Sequence, residues 1–400
     1  MTVDITKYSK FLEQVASEID IPPGKYQDAV DRYKAVGRWL EEGEYPGCSS
    51  ELSIYPQGSF RLGTVVRPIR DGIEASYDID LVCEMPLRKD QSTPQAVKSM
   101  AGDRLREHGT YQKLLDPEGR RCWTLEYAEQ DGVGFHLDVL PAVLDGRGLL
   151  STALAITNKN GSAYSWSASD PRGYGAWFDG KNDAAFARAV VEQKQNIQRR
   201  ASLIYASIDK VPDQLVRTPL QRSIQLMKRH RDLRFNHDDH IDYTPISIII
   251  TTLAAHLYGN EADVYSALSG IVGRLQAHTA LVEGKAIDRS LAAMGLIQRR
   301  QDGTWYIGNP VNPAENFADR WHEDNHARAR AFFAWVDALQ KDLLDILGEA
   351  NPRLLKEHLG RVLGTAAVSK HLDVLVLPAA IIDTPPRIHI TSPAKPWREV

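Results

Sequence analysis

The sequence is poor in cysteine: its 400 residues include only Cys48, Cys83 and Cys122, far apart and in no CxxC pair. That spacing excludes a disulfide framework and a cysteine-based zinc module, and a reducing cytoplasm is expected. Long apolar runs are missing too. The longest, from Pro245 to Leu257, is interrupted by Ser, Thr and His and falls short of the ~20 residues a membrane span needs. The opening MTVDITKYSKF has no basic stretch leading into an apolar one, so no secretory signal is expected. There is no excess of basic charge either. Lys and Arg number 48 against 52 Asp and Glu, a formal −4, which argues against a surface built to hold long nucleic acid. What remains is ordinary globular composition, 43% hydrophobic and 25% charged, at a length suited to two domains of ~100–200 residues each.

Periodicity divides the chain. Ile5, Tyr8, Phe11, Leu12, Val15 and Ile19 recur at helical spacing until Pro22-Pro23-Gly24, and Tyr26, Val30, Tyr33, Val36, Trp39 and Leu40 resume it. Between Ser50 and Val143 the period shortens to that of strands (SELSIY, YDIDLVC, CWTLEY, VGFHLDVLPAV), with one helix that Thr93 caps and Pro94 opens. From about Lys181 the pattern is helical. Thr218-Pro219 opens a helix through Arg234, Pro245 opens another, and others are predicted at 261–283 and 317–348. Beyond Gly364 the text is strand-like and punctuated by proline. The predicted organisation is N-terminal helices 1–45 bridging both lobes, a mixed α+β core 46–215, a helical domain 216–350, and a tail or edge segment 351–400.

Three stretches carry chemistry. Gln57-Gly58-Ser59 follows a predicted strand and opens a short helix. Glycine lets the backbone approach a ligand, and the helix start offers N–H groups to an anion such as a triphosphate. Asp78 and Asp80 lie two apart on a strand, so their carboxylates share a face while Ile79 and Leu81 point to the core. Two acids so close repel unless a cation lies between them, and hard oxygen ligands suit Mg²⁺ held jointly with phosphates. Asp138 interrupts an apolar strand, with Leu137 and Val139 on the opposite face, and His136 shares its face as a structural histidine. Each stretch alone also fits an ordinary turn or strand edge. In the helical half, Gln221, Gln225, Lys228 and Asp232 form a polar stripe beside the apolar stripe of Leu220, Ile224 and Met227. His230 and the run His237 to His240 fit no zinc module and are read as polar loop residues. The basic bias of residues 199–234 is read as charge for a nucleotide cleft.

Together the Gly-Ser turn, the DxD strand and the later hydrophobic-Asp-hydrophobic strand resemble the DNA polymerase beta-type nucleotidyltransferases. More narrowly, QGSFRLGT, VVRP, SYDIDLVC, FHLDVLPAV, DPRGYGAWF, PLQRSIQLMKRHRD, PISIIITTLA and NPVNPAENFADRW resemble the branch related to cyclic GMP–AMP synthase and oligoadenylate synthetase. Its bacterial antiphage form (CBASS) matches best. These segments run from residue 57 to 321. The chain between Ser59 and Asp78 is longer than the hairpin of small transferases, as in that branch.

The resemblance implies a polymerase-beta-like mixed sheet core with a C-terminal helical, oligoadenylate-synthetase-like domain. It also implies synthesis of a cyclic di- or trinucleotide messenger from nucleoside triphosphates with release of pyrophosphate. Asp78, Asp80 and Asp138 would be the catalytic and metal-binding residues, holding two Mg²⁺ ions for which Mn²⁺ can substitute. Gln57, Gly58, Ser59, Lys228 and Ser247 would bind the nucleotide. The expected partners are nucleoside triphosphates and protein regulators from the same defence system; no membrane, no extended nucleic acid and a monomeric chain are expected. Two alternatives stay open: a template-independent enzyme acting on RNA, and a non-catalytic module that binds a partner.

Overall fold

The computed structural model describes residues 4–375 apart from 68, 71–72, 131–132, 147–149, 206, 237–240 and 350. Asp4 caps α1 (Ile5–Glu18) by accepting from the Lys7 N–H, and α2 (Pro23–Glu41) begins on a proline whose φ suits a first turn. The two helices serve different cores. Tyr8, Phe11, Leu12 and Val15 of α1 enter the helical half, whereas Val36 and Leu40 of α2 pack on the sheet.

Strand β1 (Ser53–Gln57) runs into the single turn α3 (Gly58–Arg61). A short pair, β2 (Ile69–Arg70) and β3 (Ile73–Glu74), precedes the long β4 (Tyr77–Arg88). Helix α4 (Pro94–Glu107), capped by Thr93 as predicted, and the turn α5 (Tyr111–Leu114) follow. Then come β5 (Trp123–Gln130), β6 (Val133–Leu144), β7 (Leu154–Asn160) and β8 (Ala163–Ser169). The sheet order is β1-β4-β6-β7-β8, with β5 also paired to β6. Among the described residues only β4 and β6 pair in parallel, so the sheet is mixed, as expected. Alternation sorts its faces. Leu81, Cys83, Met85, Leu137 and Val139 pack against α2 and α4, and the opposite face carries the acids and then an apolar cluster of Val82, Leu140 and Ile156.

The helical half begins earlier than predicted. Asp170 caps α6 (Pro171–Arg200), whose small apolar first turns blur the helical period. Helix α7 (Pro219–Arg234) starts with a reciprocal Thr218–Gln221 capping box. Then come α8 (Ser247–Leu257), two residues later than Pro245 suggested, α9 (Val264–Gln276) and the short α10 (Arg289–Met294). The pair β9 (Gln298–Arg299) and β10 (Trp305–Tyr306) leads to α11 (Ala327–Leu339). The helix predicted from 317 starts ten residues late for a physical reason. Asn309, Asn312 and Asn316 each accept from a main-chain N–H two residues ahead, local bonds that compete with helix.

The C-terminal reading needs correction. Residues 352–371 form α12 (Pro352–Leu363) and α13 (Thr365–His371), not an edge strand or a loose tail. Leu355, Leu359 and Leu363 recur at helical spacing and enter the helical core, and Val368 follows them beyond Gly364 (φ +103°). The proline-rich residues 376–400 lie outside the described residues, as do His237 to His240. No helix among the described residues is long and apolar enough to cross a membrane.

His230 is a core residue. The Trp335 indole N–H donates to its Nδ1 (3.1 Å), so Nε2 carries the proton toward Asp342 (3.0 Å). Burial holds His230, His256 and His278 below the usual imidazole range, His256 down to about 4. These side chains are neutral when folded and protonated when unfolded below pH ~6.5. Their contribution to stability is therefore complete above pH ~6.5 and lost as pH falls toward ~4. The denaturant midpoint is expected to drop between pH 7.5 and 5. A flat profile contradicts the neutral assignment.

Candidate active site

The site follows from strand register. In the parallel β4–β6 pair, Asp80 stands opposite Asp138 and Asp78 opposite His136, so all four side chains share one face. Strand β1 brings Gln57 opposite Asp80, which places the next residue, Gly58, directly over the Asp80 carboxylate. Thr124 on β5 donates to Asp138 Oδ1 (2.5 Å), and the His136 ring lies 3.3 Å from Asp78 Oδ1. Asp80 keeps a partly exposed edge, but protein atoms crowd its carboxyl. Burial, reinforced by Asp138 and Asp78 and opposed by Lys228, pushes its pKa up to about 7. Burial also raises Asp138, against hydrogen bonds from Thr124 and Cys122.

Gly58 has φ +62°, and a Cβ there would press on Asp80 Oδ2 and lie 3.0 Å from its carboxyl carbon. Gly58→Ala is expected to lower turnover ~10²-fold, the scale of a ~1 Å misplacement, and to cost only ~1–2 kcal/mol of stability through the left-handed backbone. Turnover and denaturant unfolding of the same variant check both. Wild-type turnover would show that this close approach has no function.

Gln57, Gly58, Asp80 and Asp138 line one cavity of about 640 Å³, whereas Ser59 and Asp78 are not among its lining residues. The polar stripe of α7 faces the segment after the Gly-Ser turn: Gln221 donates to Leu62 O, Gln225 to Val65 O and Lys228 to Thr64 O (2.9 Å). Lys228 is 3% exposed and thus braces that loop instead of opening onto the cavity. Burial, reinforced by Arg231 and opposed by Asp232, Asp80 and Asp78, lowers its pKa to about 7. Ser247 lines an adjoining cavity. The basic bias of α7 and its approach is largely structural: Arg217 and Arg222 converge on Asp20, and Arg222 also reaches Glu13.

Residues 6–182 match the family profile of the Second Messenger Oligonucleotide or Dinucleotide Synthetase domain. Residues 6–182, which carry the Gly-Ser turn and the three acids, belong to that domain family. It is 27% identical over 345 residues to a c-di-GMP synthase of Roseivirga ehrenbergii, covering 85% of this chain and 80% of that protein. It is 26% identical over 328 residues to the cyclic dinucleotide synthase CdnG of Bradyrhizobium diazoefficiens, covering 78% and 70%. The solved structure of that organism's CD-NTase CdnG in complex with GTP shares the fold, with a TM-score of 0.67, 22% identity, and 92% and 98% coverage.

Within this nucleotidyltransferase, the cavity holds residues to which sequence reasoning gave no role. Asp170 and Tyr174 come from the DPRGYGAWF segment, and Asn309, Glu315 and Phe317 from NPVNPAENFADRW. Both segments carried the resemblance, so their signal was present without an assignment. Arg121 and Cys122 also line the cavity and had no local signal. The acids suit a hard divalent cation, since three carboxylates in a row relieve their repulsion by sharing positive charge. Among the described residues no three His, Cys, Asp or Glu side chains converge closely enough to hold a metal ion by themselves. An open row along two strands is the donor arrangement that leaves coordination positions for phosphate oxygens.

Proposed function

We propose that this nucleotidyltransferase joins nucleoside triphosphates into a cyclic di- or trinucleotide messenger and releases pyrophosphate. The observation that carries the reading is the register that sets Asp80 beside Asp138 under Gly58, within a second-messenger synthetase domain. The acceptor ribose hydroxyl attacks the donor α-phosphorus; its proton leaves, the new P–O bond forms, and the bond to the β-phosphate breaks. Asp138, fixed by Thr124, draws that proton, and the Gly58–Ser59 turn grips the triphosphate. Lys228 holds the loop behind the turn through Thr64 and adds positive charge. Two Mg²⁺ ions, or Mn²⁺, held by Asp78, Asp80 and Asp138 would neutralise charge on the phosphates and the leaving group. Antiphage signalling, a protein regulator and a cytoplasmic setting belong to the proposal and are supported by the family resemblance.

Incubation with the four triphosphates and Mg²⁺ tests it. Short products without terminal phosphates, unchanged by phosphatase, are expected by mass spectrometry. EDTA should abolish them, and added RNA oligomers should remain unextended. A ladder of phosphatase-sensitive products would instead identify an RNA-type polymerase, and no reaction would identify a binding module.

A further inference from the structure

A second cavity of about 600 Å³ adjoins the catalytic one, sharing Ile246, Phe317 and Asp319 with it. Ser247, the first residue of α8, lines it, and Arg231 reaches it from α7. The Arg231 guanidinium is fixed on both sides. Its Nε and Nη2 donate to Asp232 Oδ1 (2.8 and 2.6 Å), and its Nη1 donates to Pro245 O (3.1 Å) and Ser247 Oγ (2.9 Å). The Arg231 and Asp232 side chains are only 11% and 7% exposed, so this fork is held in a single arrangement.

The chemistry of the fork determines what Ser247 can do. A guanidinium has donors only, so toward Arg231 the serine hydroxyl must accept, and its own hydrogen points elsewhere. A hydroxyl that accepts from a cation is polarised and becomes a stronger donor toward an anion. Because the two cavities share lining residues, a triphosphate whose α-phosphorus sits at the acids can extend toward Ser247.

We propose that Arg231 is a positioning residue that commits the Ser247 hydroxyl as a donor to the terminal phosphate of the bound nucleoside triphosphate; this rests on the nucleotidyltransferase reading. Arg231 also ties α7 to α8 through Pro245 O, a purely structural link that would not distinguish one ligand from another.

Equilibrium binding of a non-hydrolysable GTP or ATP analogue and of the matching diphosphate, with Mg²⁺, separates these roles in the full chain. Ser247→Ala and Arg231→Gln are each expected to weaken triphosphate binding about tenfold, the scale of a charge-assisted hydrogen bond. Diphosphate binding should change by less than about twofold, and the double variant should bind no worse than Ser247→Ala, because coupled residues are not additive. Arg231→Lys keeps the charge without the fork and should lose the same discrimination, which preserves the test if the Gln variant unfolds. Additive losses, or equal losses for the two ligands, overturn the positioning role. A wild-type chain that binds neither nucleotide overturns the nucleotidyltransferase reading itself. Wild-type binding with unchanged variants removes the role of Arg231 alone.

Discussion

Asp80→Asn is expected to lower product formation at least ~10²–10³-fold, the usual loss for a central electrostatic contact at a reacting phosphate, while leaving the protein at least as stable as wild type. The two halves of this expectation have one cause. Asp80 is crowded by protein and faces Asp138 and Asp78, which is why its carboxyl resists ionisation until about pH 7. An amide of the same shape removes that repulsion but can no longer attract a cation. Asp78→Asn should lose activity similarly, since its carboxylate continues the same row. Thermal unfolding and product formation on the same preparations decide the matter. Retention of more than ~1% of the wild-type rate would exclude a metal-binding role for these acids.

Much of this site is legible locally. The period-two spacing of Asp78 and Asp80 against buried Ile79 and Leu81 is written in the strand, and the Gly-Ser turn in the next residues after β1. The partnership of Asp80 with Asp138 is not legible, because parallel pairing joins distant segments and its register is set by the whole sheet. Lys228 shows the same limit from another side. Its place on the polar stripe of α7 was evident, but helical spacing says nothing about the Thr64 carbonyl that meets the ammonium across the interface. The late start of α11 has a local cause that proportions of helix formers hide: asparagine side chains satisfy the backbone of 309–318 before a helix can.

The largest stability effect is expected from Asp20→Ala, at about 3–5 kcal/mol. Asp20 sits just after α1, lies 2.8 Å from Arg217 Nε as an ion pair, and accepts from Arg217 Nη2 (3.0 Å) and Arg222 Nη1 (3.0 Å). The two arginine side chains are 1% and 8% exposed, so removing the carboxylate leaves two guanidiniums in the interior facing each other. Glu13 can still pair with Arg222, but its partly exposed carboxylate does not reach Arg217 in this arrangement. Denaturant unfolding of Asp20→Ala should show the shift. Asp20→Asn, which keeps hydrogen-bond acceptors, should lose less. A change under ~1 kcal/mol for the alanine variant would mean that the arginines find water or other partners.

The placement of α1 in the helical core has a consequence for synthesis. The Tyr8 hydroxyl donates to Leu343 O, a partner 335 residues away, and Glu18 meets Lys370 across 352 residues. At ~5–20 residues per second, the first helix leaves the ribosome roughly 20–70 s before these last partners are made. During that interval α2 and the sheet can assemble on their own contacts, so a nascent chain holds a nearly finished catalytic sheet with an unsheltered amphipathic helix at its front. That helix is the segment a chaperone would meet first, and a chain released before α12 and α13 would leave it covered only by α7 and α9.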